Sequence, residues 1–200
     1  MSHIETPPGH RFPWYVRLFL ANQRRRYGRE LEPARLWGRS PQVFAGLSLL
    51  YGALDRKSSP IEPALRTLIT VLVSQINWCV FCIDINSATG LKRGLTEAHL
   101  AALGDFEASP LFDERIKAAL AYAAAVTRNE IEPGLMVRLK KHFNDDAIIE
   151  LTALIAFQNL STKFNSALDV AAQGFCNNPP SANSEKSNSR EPNSSGGNQG

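Results

Sequence analysis

Between Leu65 and Ile76 the apolar residues Leu65, Leu68, Ile69, Leu72, Val73 and Ile76 return at steps of three and four. That interval gathers them on one face of an α-helix, whereas a half-buried strand needs an apolar residue at every second position. The same period recurs in Ile116, Ala119, Leu120, Ala123 and Thr127, with Asp113 placed to cap the helix start. It recurs again in Ile148, Leu151, Thr152, Ile155 and Asn159, with Asn144 or Asp145 at the start, and more briefly in Leu135, Leu139 and Phe143. A further apolar run, Val43 to Leu50, sits between Gln42 and Leu54. Turn-forming breaks fall at Ser58-Ser59-Pro60, from Gly90 to Thr96, at Ser109-Pro110 and at Glu132-Pro133-Gly134. No segment alternates with the strand period and no internal repeat is visible, so the expected fold class is all-α, a helical bundle built as a single domain.

The two ends differ from this pattern. Residues 177–200 contain no Leu, Ile, Val or aromatic side chain, so this polar tail has nothing to bury and is expected to be disordered. Residues 1–41 carry an aromatic run, Phe12-Pro13-Trp14-Tyr15-Val16-Arg17-Leu18-Phe19-Leu20, followed by Arg24, Arg25 and Arg26. They read as an N-terminal arm that packs on the core or on a neighbouring subunit, in preference to a helix lying on a membrane surface. The helical core domain is then 42–176, and a chain of 200 residues with 44% hydrophobic content can fill one such core.

Composition excludes several functions. Nineteen acidic residues offset 22 basic ones, and no arginine-rich recognition helix or zinc-finger spacing is present, so no nucleic-acid partner is expected. No stretch is long and apolar enough to span a membrane, and the N-terminal apolar run is broken by Arg17 and lacks the basic start of a secretory signal. A cytoplasmic protein without a membrane partner is expected. Three cysteines are too few for a disulfide-stapled secreted scaffold.

Two of those cysteines carry the chemistry. In Asn77-Trp78-Cys79-Val80-Phe81-Cys82 they stand three residues apart, which on a helix puts both sulfurs on one face and within bridging reach. If Asn77 caps a new helix, Cys79 falls in its first turn, where the positive end of the helix dipole favours a thiolate. If the stripe from Leu65 runs on unbroken, the pair lies mid-helix and loses most of that benefit. Asp84 points to another face and is expected in a salt bridge or a subunit contact. The pair alone admits a redox couple, two buried small side chains, or half of a zinc site. The zinc site lacks further ligands at motif spacing, since His99, His142 and Cys176 are irregularly placed, and no metal is expected.

The surroundings narrow the choice. Pro63 to Ile69, Asn77 to Cys82, Gly94-Leu95-Thr96 with Leu100 to Leu103, Ala119 to Ala123, Glu150-Leu151-Thr152 and Lys163 to Leu168 follow in an order that resembles the carboxymuconolactone decarboxylase / alkylhydroperoxidase (AhpD-like) family over about 42–168. The resemblance implies an all-α fold that assembles as a trimer or hexamer. It implies two cofactor-free activities: thiol-dependent hydroperoxide reduction, and decarboxylation of a lactone acid. It gives Cys82 the role of attacking thiol and Cys79 that of resolving thiol. The family's peroxidase pattern has a Glu twelve residues before the first Cys and a His four residues after the second, which form a proton relay; here those positions hold Thr67 and Asn86. Neither can carry a proton near neutral pH, so both serve at most as hydrogen-bonding support. The expected function is a thiol-dependent peroxidase or disulfide oxidoreductase, slow for want of the relay. Its partners would be a small hydroperoxide, an external thiol or dithiol reductant, and further copies of itself. The alternatives are a redox-responsive or structural oligomer without turnover, and a decarboxylase-like lyase.

Overall fold

A computed structural model describes residues 2–181. Nine α-helices and no strand occur among them: α1 (Trp14–Tyr27), α2 (Glu32–Gly38), α3 (Pro41–Leu54), α4 (Pro63–Ile76), α5 (Val80–Lys92), α6 (Glu97–Ala101), α7 (Glu114–Arg128), α8 (Pro133–Lys140) and α9 (Asp145–Ala167). A short 3₁₀ turn, Ala102–Asp105, follows α6. Of the tail expected to be disordered, 177–200, residues 182–200 lie outside the described residues, while residues 177–181 are described. Contacts with the domain continue as far as Ser181, whose carbonyl accepts from Gln75 Nε2 at 3.0 Å.

The helix α4 is the centre. It packs against α5, α7 and α9, and Leu65, Leu68, Ile69, Leu72 and Val73 are all buried in the main core. Each such side chain contributes about 1.5–3 kcal/mol by leaving water. Across from it, α7 presents Ala118, Ala119 and Ala123, which let the backbones approach, and α9 presents Leu151 and Ile155. The caps follow the sequence. Asp113 accepts from the Ile116 amide, and Asn144, one of the two candidates, accepts from the Ala147 amide, each at 2.8 Å. Proline in the first turn starts α2, α3, α4 and α8, where its missing N–H costs nothing.

The first 41 residues contribute α1 and α2, which lie over the α3 side of the domain. Phe19 meets Phe44 edge-to-face at 5.0 Å, and Trp37 stacks on Phe164 of α9. Trp14 and Leu18 of α1 and Leu49 of α3 remain exposed, at 75%, 65% and 78%. No helix among the described residues is long and apolar enough to cross a membrane.

Candidate active site

The stripe on α4 ends at the cysteine motif because of Trp78. The amide of Trp78 bonds back to the Gln75 carbonyl at 3.2 Å, and that of Cys79 to the Ser74 carbonyl at 3.0 Å. This is a Schellman stop, with Trp78 in the left-handed region at φ 57° where glycine is usual. For a tryptophan that conformation costs about 1–2 kcal/mol, so the surrounding packing must hold it. Of the two sequence expectations for this junction, the unbroken helix is corrected, while the new helix start holds with its cap moved from Asn77 to Cys79. The helix does not run through the pair, and Asn77 is the C-cap of α4, not the N-cap of α5. Its side chain donates instead to Asn159 Oδ1 and Thr162 Oγ1 on α9, at 2.7 and 2.9 Å.

Cys79 itself caps α5. Its sulfur accepts the Cys82 amide N–H at 3.3 Å, in the place of the usual Ser or Asp oxygen. Cys82 then sits in the first turn, and the two form a disulfide with their Cα atoms 5.2 Å apart. Both sulfurs stand at the positive end of a 13-residue helix, a setting that favours a thiolate once the bond is reduced. The pair is covered by Leu36 of α2, Phe164 of α9, and Leu168, Val170 and Phe175 beyond it.

Asp84 secures that cover. Its buried carboxylate accepts the Gln173 amide at 2.8 Å on Oδ2 and the Phe175 and Cys176 amides at 2.7 Å each on Oδ1. The expectation of a salt bridge or subunit contact is thus replaced. Asp84 fastens the chain after α9 over the cysteines, using backbone donors about ninety residues downstream. The third cysteine, Cys176, is buried by this segment, and burial pushes its thiol above the ordinary range, away from nucleophilic use.

A cavity of about 390 Å³ lies between α1–α3 and the α4–α5–α9 core. Its outer walls are aromatic, including Phe19, Tyr27, Phe44, Tyr51 and Phe157. Cys82 lines it and Cys79 does not. Thr67 and Asn86 line the same cavity. Asn86 donates to Ser74 Oγ at 3.4 Å, not to either sulfur. Thr67 donates to the Pro63 carbonyl at 2.9 Å and accepts from Arg93 Nη1 at 3.2 Å. The only carboxylate lining the cavity among the described residues is Asp55, and Arg66 and Arg93 both hold it, at 3.2 and 2.7 Å. No His lines it, and no group of three or more His, Cys, Asp or Glu side chains gathers to hold a metal among the described residues.

Sequence reasoning passed over one residue at the sulfur. Asn165 of α9 is 1% exposed, lines the cavity, and points Nδ2 at Cys82 Sγ from 3.2 Å. The signal was present. Ile148, Leu151 and Ile155 continue at helical steps into Gln158, Thr162 and Asn165, so the inward stripe of α9 turns from apolar to polar. Buried polar side chains on such a face need partners, so the change marks the end of α9 that meets other polar groups.

Comparison with known proteins places this architecture. The uncharacterized protein YnjA of Escherichia coli (strain K12) is 42% identical over 175 residues, covering 86% of this chain and 96% of that protein. The family model described as the carboxymuconolactone decarboxylase family matches residues 41–125. The chain belongs to the carboxymuconolactone decarboxylase family. The crystal structure of an alkylhydroperoxidase AhpD core, an uncharacterized peroxidase-related protein from Ralstonia eutropha JMP134, superposes on this family member with a TM-score of 0.77 at 19% identity, over 87% of this chain and 94% of that one. The debrominase Bmp8 superposes with a TM-score of 0.73 at 20% identity, over 81% and 88%. Structures this distant in sequence show the fold alone. The matched family span takes in Thr67, Cys79, Cys82 and Asn86 but stops before α9, so Asn165 lies outside it.

Proposed function

We propose that this family member is a thiol-dependent peroxidase, or disulfide oxidoreductase, that cycles Cys79 and Cys82 between dithiol and disulfide. The observation that carries the reading is the asymmetry of the bonded pair: both sulfurs sit at the start of α5, and Cys82 alone borders the aromatic cavity. In the cycle, the Cys82 thiolate attacks the distal oxygen of a hydroperoxide. The S–O bond forms as the O–O bond breaks, giving a sulfenic acid and releasing an alcohol or water. The Cys79 thiol then displaces the sulfenic hydroxyl as water and closes the disulfide. An external dithiol returns two electrons and two protons. A cycle of this kind needs a supply of thiol reductant, which supports a cytoplasmic setting.

The lyase alternative has less behind it. Carbanion or enolate chemistry needs a group that titrates near neutral pH and is free to move a proton; the one carboxylate lining the cavity among the described residues, Asp55, is already engaged by two guanidinium groups. Thr67 and Asn86 support the site through hydrogen bonds only, so turnover is expected to be slow. The test is consumption of hydrogen peroxide and cumene hydroperoxide by the reduced protein with dithiothreitol. Catalytic consumption is expected. If the disulfide forms and is reduced while no peroxide is turned over, the redox-responsive oligomer is the better reading.

The same proposal includes assembly, as a trimer or hexamer. Trp14, Leu18 and Leu49 are large apolar side chains left in water, and burial in an interface is their usual resolution. Light scattering at micromolar concentration should give a multiple of the 22.1 kDa chain mass, and a monomer mass would refute assembly.

A further inference from the structure

The site lacks the ionisable relay, yet one side chain touches the reacting sulfur. The backbone of Asn165 is pinned where α9 stops: its carbonyl accepts the Val170 amide at 3.0 Å, while Asp169 adopts φ 53°. The side chain is therefore fixed between α9 and the first turn of α5. Its Nδ2 is 3.2 Å from Cys82 Sγ. Its Oδ1 is buried and has no hydrogen-bond donor within reach. Such an oxygen is left able to accept a hydrogen bond from a group that enters the cavity. The neighbouring amides do not compete for the sulfur, because Gln158 Nε2 and Asn86 Nδ2 both turn to Ser74 Oγ, at 3.0 and 3.4 Å.

We infer that Asn165 is a catalytic residue, whose amide N–H holds the Cys82 thiolate while its free Oδ1 accepts the O–H of the incoming hydroperoxide. The inference rests on the peroxidase reading and adds to it a neutral substitute for the relay. The amide moves no proton. It presents the hydroxyl oxygen of the peroxide to the sulfur. The sulfur takes that hydroxyl as a sulfenic acid, the O–O electron pair leaves with the alkoxide, and the alkoxide is protonated by water. Both halves of the amide are needed. A donor alone would stabilise the thiolate without orienting the substrate, and an acceptor alone would orient the substrate beside a weaker nucleophile.

The test uses the full chain carrying Cys79→Ser and Cys176→Ser, so that Cys82 is its one thiol. Asn165→Ala, the near-isosteric Asn165→Leu, and Asn165→Asp, which keeps an acceptor but sets a negative charge beside the sulfur, are compared with Asn165. Iodoacetamide alkylation across pH reads the thiolate, and single-turnover oxidation by hydrogen peroxide reads the reaction. Loss of a hydrogen bond to a charged group is expected to move the alkylation profile to higher pH in all three variants. It should also slow oxidation about ten-fold or more. In Ala and Leu the slowing should exceed what the lost thiolate explains, because the acceptor is gone as well. A folded variant with an unchanged profile and an oxidation rate within about two-fold of the parent overturns the inference. If Ala and Leu fail to fold, Asn165→Ser, whose short neutral side chain no longer reaches the sulfur, decides by the same two readings. If the parent does not react with hydrogen peroxide at all, the peroxidase reading fails, and the alkylation profile alone decides whether Asn165 holds the thiolate.

Discussion

Asp84→Ala is expected to destabilise the fold by about 3–5 kcal/mol, although Asp84 touches neither sulfur through a hydrogen bond. The change removes a buried acceptor from three amides, those of Gln173, Phe175 and Cys176. Each hydrogen bond to a charged group is worth about 1.5–3 kcal/mol, and donors left in a closed pocket cost more than the bonds return. Water can reach part of this segment, which keeps the expected loss below the sum of three full penalties. Asp84→Asn keeps the shape but turns a donor toward one set of amides, so about 1–2 kcal/mol is expected for it. The loss should not be confined to stability. The segment held by Asp84 seats Val170 and Phe175 over the cysteine pair, so reduced Asp84→Ala protein should alkylate faster at Cys79 than the parent. Chemical denaturation and thiol labelling measure the two effects. A loss under about 1 kcal/mol with unchanged labelling would show that the segment is held by its apolar contacts alone.

The helices of the core were legible because burial writes its period into the sequence. The residues of α4 and α7 that read as one face are the residues that pack. The junction before the cysteines was not, because the usual marker of a Schellman stop is glycine and the position holds Trp78. The opposite error occurred at Gly90, which read as the start of a break although α5 runs on to Lys92. Gly90 is there for packing: a Cβ would stand 3.1 Å from Thr67 Cγ2 and 3.0 Å from Leu95 Cδ1. A glycine that ends a helix and one that lets two helices close look alike in a sequence. The short α2 and α6 escaped notice because neither is long enough to show a helical period.

The site was half legible. Its cysteines are neighbours in the chain, and Thr67 and Asn86 were found as departures from a pattern. Asp84 was read as a salt-bridge or subunit-contact residue and Asn165 was not read as a site residue at all, because their partners come from remote parts of the chain. Asp84 finds its donors in the segment after α9, and Asn165 finds Cys82 eighty-three residues before it. A sequence with one member of such a pair shows a polar residue on a helix and nothing of its purpose.

In the proposed cycle the two sulfurs act in a fixed order, so removing Cys82 should abolish turnover and removing Cys79 should cut it to the rate of reduction from solution. With Cys82→Ser there is no nucleophile at the cavity, so peroxide consumption should fall to the background of dithiothreitol alone. With Cys79→Ser the attack remains, but the sulfenic acid at Cys82 has no neighbouring thiol to condense with. The expected phenotype is a single oxidation followed by slower reduction from solution. Consumption rates alone do not separate the two roles, since both variants turn over poorly. The direct measurement is to treat each reduced variant with one equivalent of hydrogen peroxide in the presence of dimedone and read the adduct by mass spectrometry. A stoichiometric adduct on Cys82 in Cys79→Ser and none on Cys79 in Cys82→Ser is expected; an adduct on Cys79 in Cys82→Ser, with Cys82 unmodified in Cys79→Ser, would show that Cys79 is the attacking thiol instead.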